Sequence, residues 1–107
     1  MIRKYKIKSI VHSGRKGERG TPVTQEKYAF MIGCEALFDL EYVRIGRSFS
    51  FLLVGHPLYY DWTMSCVTDC WFSEETKTLN IETANSIYEF EYIGKWVDDE
   101  NKEECNE

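Results

Sequence analysis

Three cationic side chains, Arg15, Lys16 and Arg19, lie in a segment that also contains three glycines and one proline. Glycine and proline interrupt regular structure, so residues 13–24 are predicted to form a loop. Arginine can hold a phosphate or carboxylate with two parallel hydrogen bonds, and glycine lets backbone N–H groups approach a ligand closely. The loop is therefore a candidate binding site. The alternative, a solvated spacer, stays open, and the glycine spacing matches no phosphate-loop fingerprint.

Tyr59 and Tyr60 form a second candidate site. Two adjacent tyrosines in a loop cannot easily both face inward, and tyrosine suits a binding surface because its body is apolar and its tip is polar. The remaining aromatic residues, including Trp62, Trp71 and Trp96, are expected to fill the core.

The four cysteines do not predict a disulfide or a metal site. Cys66 and Cys70 lie on one predicted strand about 13 Å apart, whereas a disulfide needs Cα atoms about 4.4–6.8 Å apart. Both could bind one zinc ion only if the segment were helical. Cys34 and Cys105 stand alone, and neither histidine has ligand spacing to a cysteine. We expect reduced cysteines and no cofactor.

The sequence also gives little support for catalysis. His12 and His56 are the two histidines. Asp61 could orient His56, but a histidine in a proline-containing loop is more typical of a solvated turn. Glu82, Glu89 and Glu91 of a predicted hairpin could cluster on one face, but they are interpreted as its solvent face. We therefore expect a non-enzymatic protein.

The charge distribution is uneven. The 107-residue chain has a formal net charge of −5, yet residues 1–20 contain seven cationic residues and one acid. We expect one barrel-like domain over residues 1–97 and an acidic, disordered tail over residues 98–107. No apolar run reaches the roughly 18–20 residues of a membrane span, and no signal-peptide core is present. This pattern predicts a cytoplasmic protein.

Alternation of apolar and polar residues predicts an all-β fold. The clearest case is a hairpin of residues 78–83 and 86–92, joined by Ala84 and Asn85. Its alternation predicts one buried face and one water-exposed face that includes Asn80. The predicted buried residues are Leu79, Ile81, Tyr88, Phe90 and Tyr92. Residues 35–44 fit either a strand or a short helix, and we favour the strand. The predicted strands are residues 3–11, 28–32, 35–44, 48–54, 62–72, 78–83 and 86–92. The first carries Lys4, Lys6 and Lys8 at alternate positions, a pattern typical of an edge strand. Six to seven short strands favour a small antiparallel barrel or a strongly curved sheet.

Two segments carry a resemblance to known proteins. Thr63-Met-Ser-Cys-Val67, followed by Ile81-Glu-Thr-Ala-Asn-Ser-Ile-Tyr88, resembles a type of short β protein found in phages, mobile elements and gut bacteria. Such proteins carry a Thr-Ser-x-Val-like strand and a Thr-x-Asn-Ser-x-Tyr hairpin; here Met64 separates the threonine and the serine. The resemblance implies a small β-fold and a mobile-element origin, and it supplies no function.

Two functions follow as expectations. The first is a binding module, such as a phage or mobile-element accessory protein that inhibits or sequesters a host protein. The alternative is a small β-barrel that binds a nucleotide or nucleic acid through the loop of residues 13–24. The negative net charge counts against binding a polyanion, but not against a small nucleotide. We expect no membrane partner. The sequence does not indicate the oligomeric state.

Overall fold

The computed structural model describes residues 1–55 and 59–95, with only the backbone described at residues 59, 60 and 95. The predicted tail, His56, Trp96 and Cys105 lie outside this part of the chain. The strands are β1 (Arg3–His12), β2 (Glu35–Phe38), β3 (Ser50–Val54), β4 (Tyr59–Thr63), β5 (Val67–Ser73), β6 (Thr78–Thr83) and β7 (Ser86–Lys95). They form one antiparallel sheet in the order β4-β3-β2-β1-β7-β6-β5. A helical turn, α1 (Glu26–Ala29), and a 3₁₀ turn (Leu40–Tyr42) complete it.

The sheet is strongly curved, because side chains from strands that are not neighbours meet inside it. The rings of Phe51 on β3 and Phe90 on β7 lie 5.7 Å apart, although two strands separate them in the sheet. Trp62 Nε1 on β4 donates a hydrogen bond of 3.1 Å to the hydroxyl of Tyr88 on β7. The all-β prediction is confirmed: the sheet curls around its core, and β4 and β5 remain its two edges.

The predicted hairpin is confirmed in β6 and β7. Leu79, Ile81 and Phe90 are buried on the inner face, as the alternation predicts. Two positions differ from the prediction. Asn80, expected to face water, is buried and donates to the Thr78 carbonyl at 3.3 Å. Tyr92, expected to be buried, is 45% exposed because β7 extends past the end of the core.

Strand β1 is central, although its alternating lysines predicted an edge strand. It pairs with both β2 and β7. Lys4 approaches Glu35 at 3.9 Å and Lys8 approaches Glu91 at 3.7 Å, so these lysines face carboxylates of the two neighbouring strands. A register shift after Ile7 also changes the inward face of the strand.

Residues 28–32 do not form the predicted strand. α1 and the turns after it occupy this segment. The inward residues are Tyr28, which meets the Trp62 ring at 5.5 Å, and Met31, which is fully buried. A spacing of three residues suits a helical turn and not a strand, so the helical turn closes one end of the curved sheet.

Two other predicted strands are shorter than expected. The favoured strand at 35–44 ends at Phe38, and a 3₁₀ turn follows. The strand predicted at 62–72 is divided into β4 and β5. Met64 and Val67 are both buried, and their backbone N–H groups donate to the carbonyls of Phe49 and Arg47. Because residues three apart point to opposite faces of a strand, this segment must turn.

Candidate functional site

The loop of residues 13–24 is held against the rest of the sheet. Backbone hydrogen bonds join Gly20 N–H to the His12 carbonyl at 2.9 Å and His12 N–H to the Thr21 carbonyl at 2.8 Å. Ser13 Oγ donates to the carbonyl of Ala84, in the turn between β6 and β7, at 2.8 Å. The loop is therefore an ordered hairpin-like cover over the end of β1.

Arg19 is engaged within the protein. Its guanidinium donates to both carboxylate oxygens of Glu82, at 2.8 and 3.0 Å, and to the Ser13 carbonyl at 3.0 Å. The hydrogen bond from Arg19 lowers the pKa of Glu82, and the attraction of opposite charges lowers it further. Because this pairing uses the bidentate face that a ligand would need, Arg19 holds the loop in place in this structure.

The other two predicted loop residues are placed differently. Arg15 and Lys16 are both exposed, and neither forms an ion pair within the described part of the chain. Lys16 lines a cleft of about 330 Å³ between the loop, α1 and the β6–β7 turn. We call this the basic cleft, and its polar lining residues are His12, Lys16, Gln25, Lys27, Asn85 and Ser86.

A second cavity lies at the other end of β1. It has a volume of about 440 Å³, and we call it the mouth groove. Its lining residues are Arg3, Tyr5, Leu40, Phe72, Lys77, Leu79 and Tyr92. Phe72, Tyr92 and Leu40 are 51%, 45% and 42% exposed, which is high for residues this apolar. The Arg3 guanidinium lies 5.7 Å from the centre of the Tyr92 ring, a cation–π distance.

The alternation pattern missed the mouth groove. Tyr92 was predicted to be buried, and Phe72 was placed on the same strand face as Trp62 and Cys70 without a prediction of its burial. Phe72 and Tyr92 are exposed because they occupy the ends of β5 and β7, beyond the aromatic core. The sequence feature that could have indicated their exposure is their position at or near the ends of the predicted strands.

Tyr59 and Tyr60 lie in edge strand β4, opposite Val54 and Leu53, and not in the predicted loop. Their side chains lie outside the described part of the structure. The loop assignment is wrong because residues 59–63 pair with β3 along its length. Their role as a binding site stays a prediction.

The predicted solvent-facing glutamates are all paired. Glu82 binds Arg19, Glu89 accepts from Ser9 and Thr78, and Glu91 approaches Lys8. Each of the three therefore has a structural partner in the fold.

Three of the cysteines are described. Cys34, Cys66 and Cys70 carry free thiols. Cys66 lies in the turn before β5, so it does not share a strand with Cys70 as predicted. Within residues 1–55 and 59–95, no group of three or more histidine, cysteine or carboxylate side chains could hold a metal ion.

Comparison with protein-family models, with curated proteins and with solved structures finds no match. The resemblance to short β proteins of phages and mobile elements thus stays a prediction. In the part of the chain that the structure describes, no helix is long and apolar enough to cross a membrane.

Proposed function

We propose that this protein is a non-enzymatic, cytoplasmic binding module whose mouth groove receives an apolar side chain from an acidic segment of a partner protein. The observation that carries the proposal is the exposure of Phe72, Tyr92 and Leu40 around one concave, mainly apolar cavity of about 440 Å³. Exposed apolar surface of this kind is typical of interaction sites on soluble proteins. Aromatic side chains at a pocket are also common anchors of protein interfaces.

The charges around the groove select the partner's chemistry. Within residues 1–55 and 59–95, the charged residues that line the groove are Arg3 and Lys77, and both are cationic although the protein is acidic as a whole. The ion pair of Lys77 with Glu74 is highly exposed, with side-chain exposures of 73% and 82%. Exposed pairs of this kind are weak, so a partner carboxylate can replace Glu74. An apolar anchor flanked by acidic residues matches this surface.

The phage or mobile-element origin that the sequence resemblance implies adds a biological role to this proposal. A small accessory protein of such an element would use the groove to inhibit or sequester a host protein. The groove supports the binding activity, and the resemblance supports the biological role. The two are independent, so either part of the proposal can be wrong while the other holds.

A matched pair of variants tests the proposal. Phe72→Ser removes the most exposed apolar residue of the groove, and Ile45→Ser removes a similarly exposed apolar residue that does not line it. Binding of each variant to acidic peptides with one aromatic or aliphatic anchor is measured by calorimetry. We expect Phe72→Ser to weaken binding at least tenfold, about 1.4 kcal/mol, and Ile45→Ser to leave it unchanged.

The proposal fails if no such peptide binds the parent protein, or if both variants bind as the parent does. Thermal unfolding of both variants confirms that they remain folded. Because both side chains are largely exposed, we expect small changes in stability.

A further inference from the structure

We infer that the basic cleft is a binding site for a small phosphorylated compound, with the phosphate held between Lys16, Lys27 and His12. This site is independent of the mouth groove, since the two cavities share no residue. It also differs from the predicted loop site, since Arg19 is occupied by Glu82 and Arg15 does not line the cleft.

Hydrogen-bond donors converge on the cleft from separate parts of the chain. His12 ends β1 and Ser86 begins β7, and the two are direct cross-strand partners, so their side chains share a face. Lys16 comes from the loop and Lys27 from α1. Among the described residues, no carboxylate lines the cleft and neither lysine forms an ion pair. Two unneutralised cations beside neutral donors favour an anion.

The backbone next to Lys16 lies directly against the His12 ring, at Gly17. A Cβ atom at Gly17 would lie 2.6 Å from the His12 ring, so only glycine lets the backbone cover the imidazole this closely. The bidentate pair between Arg19 and Glu82 holds the following part of the loop. Lys16 is thus presented from an ordered segment, which reduces the entropy lost on binding.

Ser86 adds a hydroxyl to the lining of the cleft. The residue is 4% exposed, and its backbone N–H and carbonyl are both hydrogen-bonded to the Thr83 hydroxyl. Its own hydroxyl forms no hydrogen bond within the described part of the chain and keeps solvent access, so it can donate to a phosphate oxygen. The side-chain carbonyl of Asn85, also in the lining, is an acceptor and takes no part in holding the anion.

The size of the cleft limits the ligand. About 330 Å³ is at the lower end of the range for small-molecule sites, enough for a phosphate and a modest organic group. The Tyr28 ring, which also lines the cleft, provides a wall for a planar group. A long polyanion is disfavoured by the net charge of −5. A mononucleotide or another small phosphate monoester fits these limits.

The test is an NMR titration of ¹⁵N-labelled protein with AMP at constant ionic strength, followed by competition with inorganic phosphate. Adenosine serves as the unphosphorylated control. We expect saturable shifts at the amides of His12, Lys16 and Ser86, displacement of AMP by phosphate, and no such response to adenosine.

Two double variants with the same charge change make the titration specific. Lys16→Gln with Lys27→Gln should weaken AMP binding at least tenfold. Lys6→Gln with Arg47→Gln, at exposed positions outside the cleft, should change it less than twofold. Shifts that do not saturate, an AMP complex that phosphate cannot displace, or equal losses in both double variants would each overturn the inference. The spectra themselves report whether each variant is folded.

Discussion

The two ends of the curved sheet differ in whether other segments of the chain cover the core. β1 runs from Arg3 at the mouth groove to His12 at the basic cleft, a span of about 30 Å for ten residues. At the His12 end, the loop and α1 cover the sheet, and the cleft between them is polar. At the Arg3 end, the aromatic side chains Phe72 and Tyr92 remain exposed around an apolar groove. One end is thus suited to a small anion and the other to an apolar partner.

This difference shows that the inward face of one strand, β7, can contribute both a buried core residue and an exposed residue of the mouth groove. Phe90 and Tyr92 are two residues apart on β7 and point to the same side of the sheet. Phe90 is fully buried and packs against the rings of Phe38 and Phe51, at 5.1 and 5.7 Å. Tyr92 is 45% exposed. The border between the core and the exposed mouth groove therefore falls between two successive inward-facing residues of β7.

The largest expected effect tests that border directly. Phe90→Ala should cost about 3–5 kcal/mol of unfolding free energy, because it empties the centre of the aromatic core. Tyr92→Ala should cost about 1 kcal/mol, because the side chain is half exposed. Urea melts of both variants measure the two values. Similar losses would show that the groove is part of the core and not a binding surface.

A smaller effect is expected where β4 meets β7. Tyr88→Phe removes the acceptor of the Trp62 hydrogen bond and should cost about 1 kcal/mol. Burial raises the pKa of Tyr88 from 10.0 to about 12, partly opposed by that hydrogen bond. Because the pKa of Tyr88 is higher in the folded state than in the unfolded state, the residue contributes stability that is fully present below pH 10. That contribution is lost as pH rises through about 12.

The unfolding free energy of the parent should therefore fall between pH 10 and pH 12, and Tyr88→Phe should reduce that fall. Urea melts across this range provide the measurement. An equal fall in both proteins would show that other groups control the alkaline transition.

The smallest effect concerns the cover at the His12 end. Arg19→Ala should release the loop locally, whereas Arg15→Ala should not, because only Arg19 is paired with Glu82. Hydrogen exchange at the Gly20 and Thr21 amides reports this, since Gly20 donates to the His12 carbonyl at the end of β1 and Thr21 donates to the Glu18 carbonyl within the loop. Equal exchange in the two variants would show that the backbone hydrogen bonds alone hold the loop.

Lowering the pH should loosen the loop, as Arg19→Ala does. The lowered pKa of Glu82 means that its stabilising contribution is present above its ordinary pKa and is lost as pH falls through the lowered value. In the parent protein, protection of the two amides should decrease over that acidic range. In Arg19→Ala, the same acidification should change it little.

The sequence predicted most of the sheet because the alternation in β6 and β7 is regular, and burial follows it at Leu79, Ile81 and Phe90. The alternating lysines of β1 suggested an edge strand, because the sequence of one strand does not show that Glu35 and Glu91 on the neighbouring strands lie beside Lys4 and Lys8. Tyr28 and Met31 were misread because two inward residues three apart require a helical turn.

The candidate sites were less predictable for a physical reason. Arg15, Lys16 and Arg19 look equivalent in sequence, and only the position of Glu82 on a distant strand separates Arg19 from the others. The basic cleft likewise depends on contacts between β1, α1 and β7, which are distant in sequence. The mouth groove depends on where the core ends, which alternation does not specify.

The central claim is that a protein partner uses the mouth groove. Hydrogen–deuterium exchange of the full chain, with and without a bound acidic peptide, tests it most directly. We expect protection around Phe72, Leu79 and Tyr92, with residues 13–24 unchanged. Protection confined to residues 13–24, with none at the groove, would contradict it.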